Sequence, residues 1–354
     1  MATKPHLQQI DALRGIAALL VAFVFHQGEI LGAGRTGPLD GLPVFTWLHA
    51  YGWTLVDLFF VVSGFVFSHV YLEGGELRGK TTGRTFFVSR FARLYPLHFV
   101  TLLAAVVLIP YSTVSVRVQE TYDLRHFVLN LLMLQEVGIS EDVSFNAPAW
   151  SISVEALCYA VFFFAARRGG RSLVTVAFAA VVFGLFLTVG GHAGVDHVSR
   201  GFVGFFAGHF AWRLRSVPCM SWTLVAIIAA GILVHPPKVS YGAWLGLTAW
   251  PALVLLALRS HVLIRPILRW LGNISYSIYL IHMPVYYAVS AFVFGGKLVP
   301  QPLWTPVIVC VSVATLILAH LSYRHLEAPA RRAIKGRFGS KTGASARFVV
   351  ANRD

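Results

Sequence analysis

The chain has 354 residues, 56% of them hydrophobic and only 12% charged, with a mean hydropathy of +0.69, which excludes a soluble globular domain and implies a polytopic membrane protein. The formal net charge of +14 does not indicate nucleic acid, because the basic residues sit at the ends of apolar runs and form no single patch. Cys158, Cys219 and Cys310 have neither disulfide-framework nor zinc spacing, so no metal is expected.

In chain order, the first apolar run covers residues 11–27, with Asp11 and Arg14 at its mouth and His26 near its far end. Twelve helical steps from Arg14 to His26 cover about 18 Å. Ionisable groups in a membrane helix are costly and are read by default as lining a cavity, a pathway or a reaction site. No small-residue cleavage site follows, so this run is expected to be a retained first span. Residues 51–71 form the second span and carry Asp57; the basic loop after it is cytoplasmic by the positive-inside rule, which puts the N-terminus inside. In that loop SRFARLYP places Arg90 and Arg93 three residues apart, on one face of a helical start, where two guanidinium forks can meet one anion. A third span covers residues 94–110.

Residues 124–138 are apolar but too short to cross, and are expected to be re-entrant or interfacial. The run at 150–166 carries Trp150, Ser151, Ser153 and Glu155. Further spans are expected at 172–190, 200–212, 222–235, 241–258, 274–294 and 303–322, giving about ten with both termini cytoplasmic. Six of the 29 Lys and Arg then lie outside and 23 inside, which favours this topology over its inverse. Within 274–294, Ser275, Tyr279 and His282 recur at four and three residues and form one polar stripe. The fold class expected is therefore an all-α integral membrane bundle, with a transmembrane domain over residues 1–323, a basic and partly disordered cytoplasmic tail over 324–354, and no appended soluble domain.

Depth counted from the span ends puts Asp57 and Glu155 near the level of His26, and a carboxylate beside an imidazole is the usual arrangement for a general base. A structural ion pair is the other use for such acids. Intramembrane His and acid residues also suit a transporter, with these groups lining a path and no covalent chemistry.

The segments DALRGIAALLVAFVFH, VDLFFVVSGFVFS, SRFARLYPLH, APAWSISVEALCY, LGNISYSIYLIHMP and YRHLEAPARR occur in an order that resembles the membrane-bound acyltransferase 3 family, over about residues 8–333. The resemblance implies a multi-pass enzyme of the plasma membrane, that of a bacterial inner membrane, moving an acyl group, by resemblance acetyl, from cytoplasmic acyl-CoA to a hydroxyl of a glycan or other acceptor at the outer face. Carried over by position, the family's arginine pair falls on Arg90 and Arg93, which with Arg14 would hold acyl-CoA. Its essential histidine falls on His26, to be oriented by Glu155 or Asp57, and Trp150, Ser153, Tyr279 and His282 would line the substrate pocket. The family pattern has ten residues between the basic residue and the histidine, whereas eleven separate Arg14 from His26. The extra step turns the ring by about 100°, and a single π-turn in between would restore its face.

Overall fold

Helices follow the apolar runs, because a backbone surrounded by hydrocarbon has to satisfy its own polar groups. The computed structural model describes residues 6–32, 41–79, 81–113, 116–136, 143–189 and 196–339. Helix α1 (Gln8–Leu20) runs into a π-turn (Val21–Phe25), then α2 (Gly28–Leu31), α3 (Pro43–Tyr51) and α4 (Leu55–Tyr71). A two-residue hairpin, β1 (Leu72–Glu73) and β2 (Glu76–Leu77), leads to α5 (Gly83–Leu108), α6 (Val116–Glu120) and α7 (Leu124–Leu131). There follow α8 (Trp150–Arg167), α9 (Gly170–Val189), α10 (Asp196–Leu214), α11 (Ser221–Leu233), α12 (Tyr241–Leu247) and α13 (Ala249–Ala257). The chain continues through α14 (Pro266–Phe294) and α15 (Trp304–Ser322), and a second π-turn (Tyr323–Glu327) joins α15 to α16 (Ala328–Phe338).

Among the described residues, seven helical segments are long and apolar enough to cross a membrane. Three of the ten expected spans are not among them, each for a local reason. Helix α10 carries Asp196, Arg200 and Arg213, and α11 has only 13 residues. The third is broken at Thr248, because Pro251 has no N–H for the Leu247 carbonyl; it thus divides into α12 and α13. The helical part of 124–138 is the eight-residue α7, about 12 Å long and too short for a hydrocarbon core of about 30 Å; residues 137 and 138 lie outside the described residues. The basic stretch from Arg324, expected as a polar tail, is helical to Phe338 and packs on α5.

Two helix pairs run parallel. Gln8, Arg14 and His26 of the first segment meet Arg269, Ser275 and His282 of α14 in the same order. Asp57 and Ser68 of α4 likewise meet Arg200 and His209 of α10. The second pair packs tightly because glycines leave no Cβ between the backbones. A Cβ on Gly64 would fall on the Phe205 carbonyl, and one on Gly208 on the Val61 carbonyl. Substituting Gly208→Val is expected to lower stability by about 1–3 kcal/mol, read as a drop in melting temperature of the detergent-solubilised protein.

Candidate active site

Helix α14 carries Ser275, Tyr279 and His282, all buried, and the first helical segment supplies a partner at each end of that row. Arg14 Nη2 donates to Ser275 Oγ at 3.0 Å, while its Nη1 donates to Asp11 Oδ1 at 3.2 Å. The π-turn Val21–Phe25 absorbs the extra residue, so His26 also faces α14. Its geometry is self-consistent. The His26 N–H donates to the Val21 carbonyl at 3.1 Å, five residues back, which frees the Ala22 carbonyl, and Tyr286 Oη donates to that oxygen at 2.6 Å. Pro284 similarly frees the Leu280 carbonyl, which accepts from Asn146 Nδ2 at 3.0 Å.

The partner of His26 is His282, with the rings 4.9 Å apart. His282 Nδ1 donates to the Ile278 carbonyl at 3.1 Å, because a carbonyl can only accept. In the neutral ring Nε2 is therefore an acceptor, and His26 Nδ1, 3.1 Å away, donates to it. This relay leaves the lone pair of His26 Nε2 available, and among the described residues nothing bonds it. The Nε2 of the half-buried His26 can therefore accept a proton, and the fully buried His282 holds the ring in that tautomer.

At the Arg14 end, Arg14, Arg90 and Arg93 line a cavity of about 90 Å³ with Ser63, Glu155, Tyr159, Ser275, Tyr276 and Tyr279. Arg90 lies over the rings of Phe67 and Tyr71, at 5.0 and 5.7 Å. Among the described residues the Arg93 guanidinium has no hydrogen-bond or ion-pair partner. Among the described residues Glu155 is the only acid in this lining and accepts from Ser63 Oγ at 2.6 Å; counting Asp11 on Arg14, three cations face two carboxylates and the cavity still favours an anion. Tyr279 connects the two ends. Its ring lines the cavity and lies 6.3 Å from that of His282, and its hydroxyl is 3.0 Å from Ser151 Oγ.

The residues singled out in the sequence therefore fall into separate groups. His26 joins His282; Arg14, Arg90 and Arg93 join Glu155, which sits with the arginines and not at the level of the histidines. Asp57 is in neither group. It is fully buried, and both its oxygens accept from Arg200, from Nε and Nη2 at 3.0 Å each. Arg200 in turn lies over the rings of Trp53 and Trp150, at 4.5 and 5.1 Å. Ser153 Oγ accepts the Glu136 N–H at 3.2 Å, and Trp150 stacks on His197, whose Nδ1 is 2.8 Å from Glu136 Oε2. Neither Arg200 nor Glu136 had a motif to mark it, but an Arg and a Glu inside apolar segments were themselves a signal. Among the described residues no three His, Cys, Asp or Glu side chains cluster as metal ligands.

A family model described as an acyltransferase domain, that of the acyltransferase 3 family, matches residues 7–324. The chain belongs to this acyltransferase family. Among curated proteins, the chain is similar to "Acyltransferase MdmB" of Streptomyces mycarofaciens, 33% identical over 161 residues, which are 44% of this chain and 38% of that protein. It is also similar to "Protein 2 in picA locus" of Rhizobium radiobacter, 38% identical over 94 residues, 26% of this chain and 40% of the other. The matched parts thus span about two fifths of each relative's length. No solved structure matches the chain.

Proposed function

We propose that this acyltransferase moves a short acyl group, acetyl in the simplest case, from cytoplasmic acyl-CoA to a hydroxyl of a glycan or other acceptor at the outer face of the plasma membrane. The observation that carries the reading is the line of polar groups from the arginine cavity through Tyr279 to the His282–His26 pair. Arg90 and Arg93, with Arg14, hold donor phosphates. A cavity of about 90 Å³ is too small for a nucleotide, which stays at its mouth, so the phosphate end of the donor lies by the arginines and the pantetheine arm carries the thioester on toward His26. The roughly 18 Å from Arg14 to His26 is comparable with an extended pantetheine arm.

In the reaction His26 Nε2 takes the acceptor hydroxyl proton as that oxygen attacks the acyl carbonyl. The new C–O ester bond forms, the C–S thioester bond breaks, and the leaving thiolate takes up a proton, so the histidine returns neutral. His282 does for His26 what a carboxylate does elsewhere, fixing the tautomer, although it brings no negative charge.

Helix directions support an even number of crossings, ten, with both termini on one side, and the Lys and Arg bias makes that side the cytoplasm. Parallel α4 and α10 require an odd number of crossings between them, which α5, α8 and α9 supply if α7 does not cross. Parallel α1 and α14 also require an odd number. The helices α4, α5, α8 and α9 are four, and adding α10, α11 and the broken α12–α13 makes seven.

Mass spectrometry of surface glycans and secreted metabolites, from cells with and without the protein, tests the reading. An increment of one acyl group that depends on the protein supports it, whereas no increment under any donor and acceptor supplied sinks it in favour of a transporter. In purified protein, Arg93→Gln is expected to weaken acyl-CoA binding by about tenfold to a hundredfold; unchanged binding in a calorimetric titration removes the arginine's role.

A further inference from the structure

The segment after α15 is polar in composition, yet it folds back as a helix against the opening turns of α5. The π-turn at Tyr323–Glu327 brings Glu327 onto α14, where its carboxylate accepts from Ser277 Oγ. At its other end, the Phe338 carbonyl accepts from Arg84 Nε at 2.8 Å, which ties α16 to the start of α5. Glu327, Arg331 and Lys335 are spaced by four and form one row, each step about 6 Å along the axis. Burial falls along this row: Glu327 is 3% exposed, Arg331 half-buried and Lys335 exposed. Arg331 and Lys335 lie within the field of Arg90 and Arg93 on the facing helix. The Arg331 Nε is buried and, among the described residues, has no hydrogen-bond partner.

Like charges gathered on two packed helices repel one another unless an anion lies between them. With Arg14 the group has five cations, and Asp11, Glu155 and Glu327 are the acids beside them, which leaves an excess positive charge of about two at this end of the bundle. The cations are also ordered by depth, with Arg14 and Arg93 at the cavity and Lys335 outermost. Coenzyme A is ordered in the same sense, from thioester through pantetheine and diphosphate to the ribose 3′-phosphate. We propose that Arg331 and Lys335 of α16 bind the ribose 3′-phosphate of the acyl-CoA donor, while Arg90 and Arg93 take its diphosphate. This rests on the donor reading above.

The same chemistry would hold an anionic lipid headgroup, so the test separates the two sources. Full-length protein is placed in bilayer discs of neutral phosphatidylcholine, and binding of coenzyme A and of dephospho-coenzyme A is measured for the parent, Lys335→Ala, Arg331→Lys and Arg331→Ala/Lys335→Ala. The parent is expected to bind coenzyme A about tenfold more tightly than the dephospho form. In the double variant that preference should fall to near unity, with binding of dephospho-coenzyme A unchanged. Lys335→Ala, a change at an exposed position that leaves packing intact, should lose part of the preference, and Arg331→Lys should keep most of it. A preference retained in the double variant overturns the proposal but leaves the donor reading standing. So does a variant phenotype confined to discs containing anionic lipid and seen only as lowered melting temperature, which assigns the row to headgroups. A parent that binds neither coenzyme overturns both.

Discussion

His26→Ala is expected to reduce acyl transfer by about 10²–10⁴-fold, the usual worth of a positioned base, with acyl-CoA affinity unchanged. The separation of effects follows from the geometry, since His26 lies about 18 Å along its helix from Arg14 and lines no part of the arginine cavity. His282→Ala should cost less. It leaves the His26 imidazole in place but removes the acceptor for Nδ1–H, so His26 is free to carry its proton on Nε2, where it cannot act as a base. A variant that supplies an acceptor there, His282→Gln, should recover part of the rate. Transfer by His26→Ala within about fivefold of the parent, at equal membrane expression, would place the base elsewhere.

The extent to which this site could be read in advance depended on sequence distance. The bundle was legible because long apolar runs leave few alternatives, and the π-turn at Val21–Phe25 was legible because Arg14 and His26 stand one residue further apart than in the family that the chain resembles. The partner of His26 was not. His282 is 256 residues away, and the expectation of a carboxylate came from the chemistry of bases in general, which does not say that a second histidine with a fixed tautomer can take its place. Arg200 opens the apolar run 200–212, where it reads as one of the charges at span ends; nothing local ties it to Asp57, 143 residues earlier. Glu155 was placed by counting from a span end, which gives depth but not rotation, and rotation turns it toward Ser63 and the arginines. Helix α16 was missed because hydropathy detects helices that face lipid, whereas this one carries a charged row along α5.

Breaking the Asp57–Arg200 pair is expected to have the largest effect on stability. Asp57→Ala would leave a guanidinium only 6% exposed with its bidentate partner gone, at a cost of about 3–5 kcal/mol. The nearby Asp196 carboxylate, 3.7 Å from Arg200 Nη1 and itself about half exposed, offsets little of that. Removing both charges together behaves differently. Asp57→Leu/Arg200→Met exchanges the pair for apolar side chains and should fall within about 1–2 kcal/mol of the parent, because the desolvation of two ions is removed along with their attraction. That double variant also decides what the pair is for. If Asp57 serves only to hold α4 against α10, the folded double variant should transfer acyl groups at close to the parental rate. If Asp57 instead orients the base, the double variant should fold and melt like the parent but lose activity to the level of His282→Ala. Melting temperature and turnover per folded molecule, measured on the same preparations, separate the two outcomes, and the bidentate closure of both Asp57 oxygens on Arg200 favours the first.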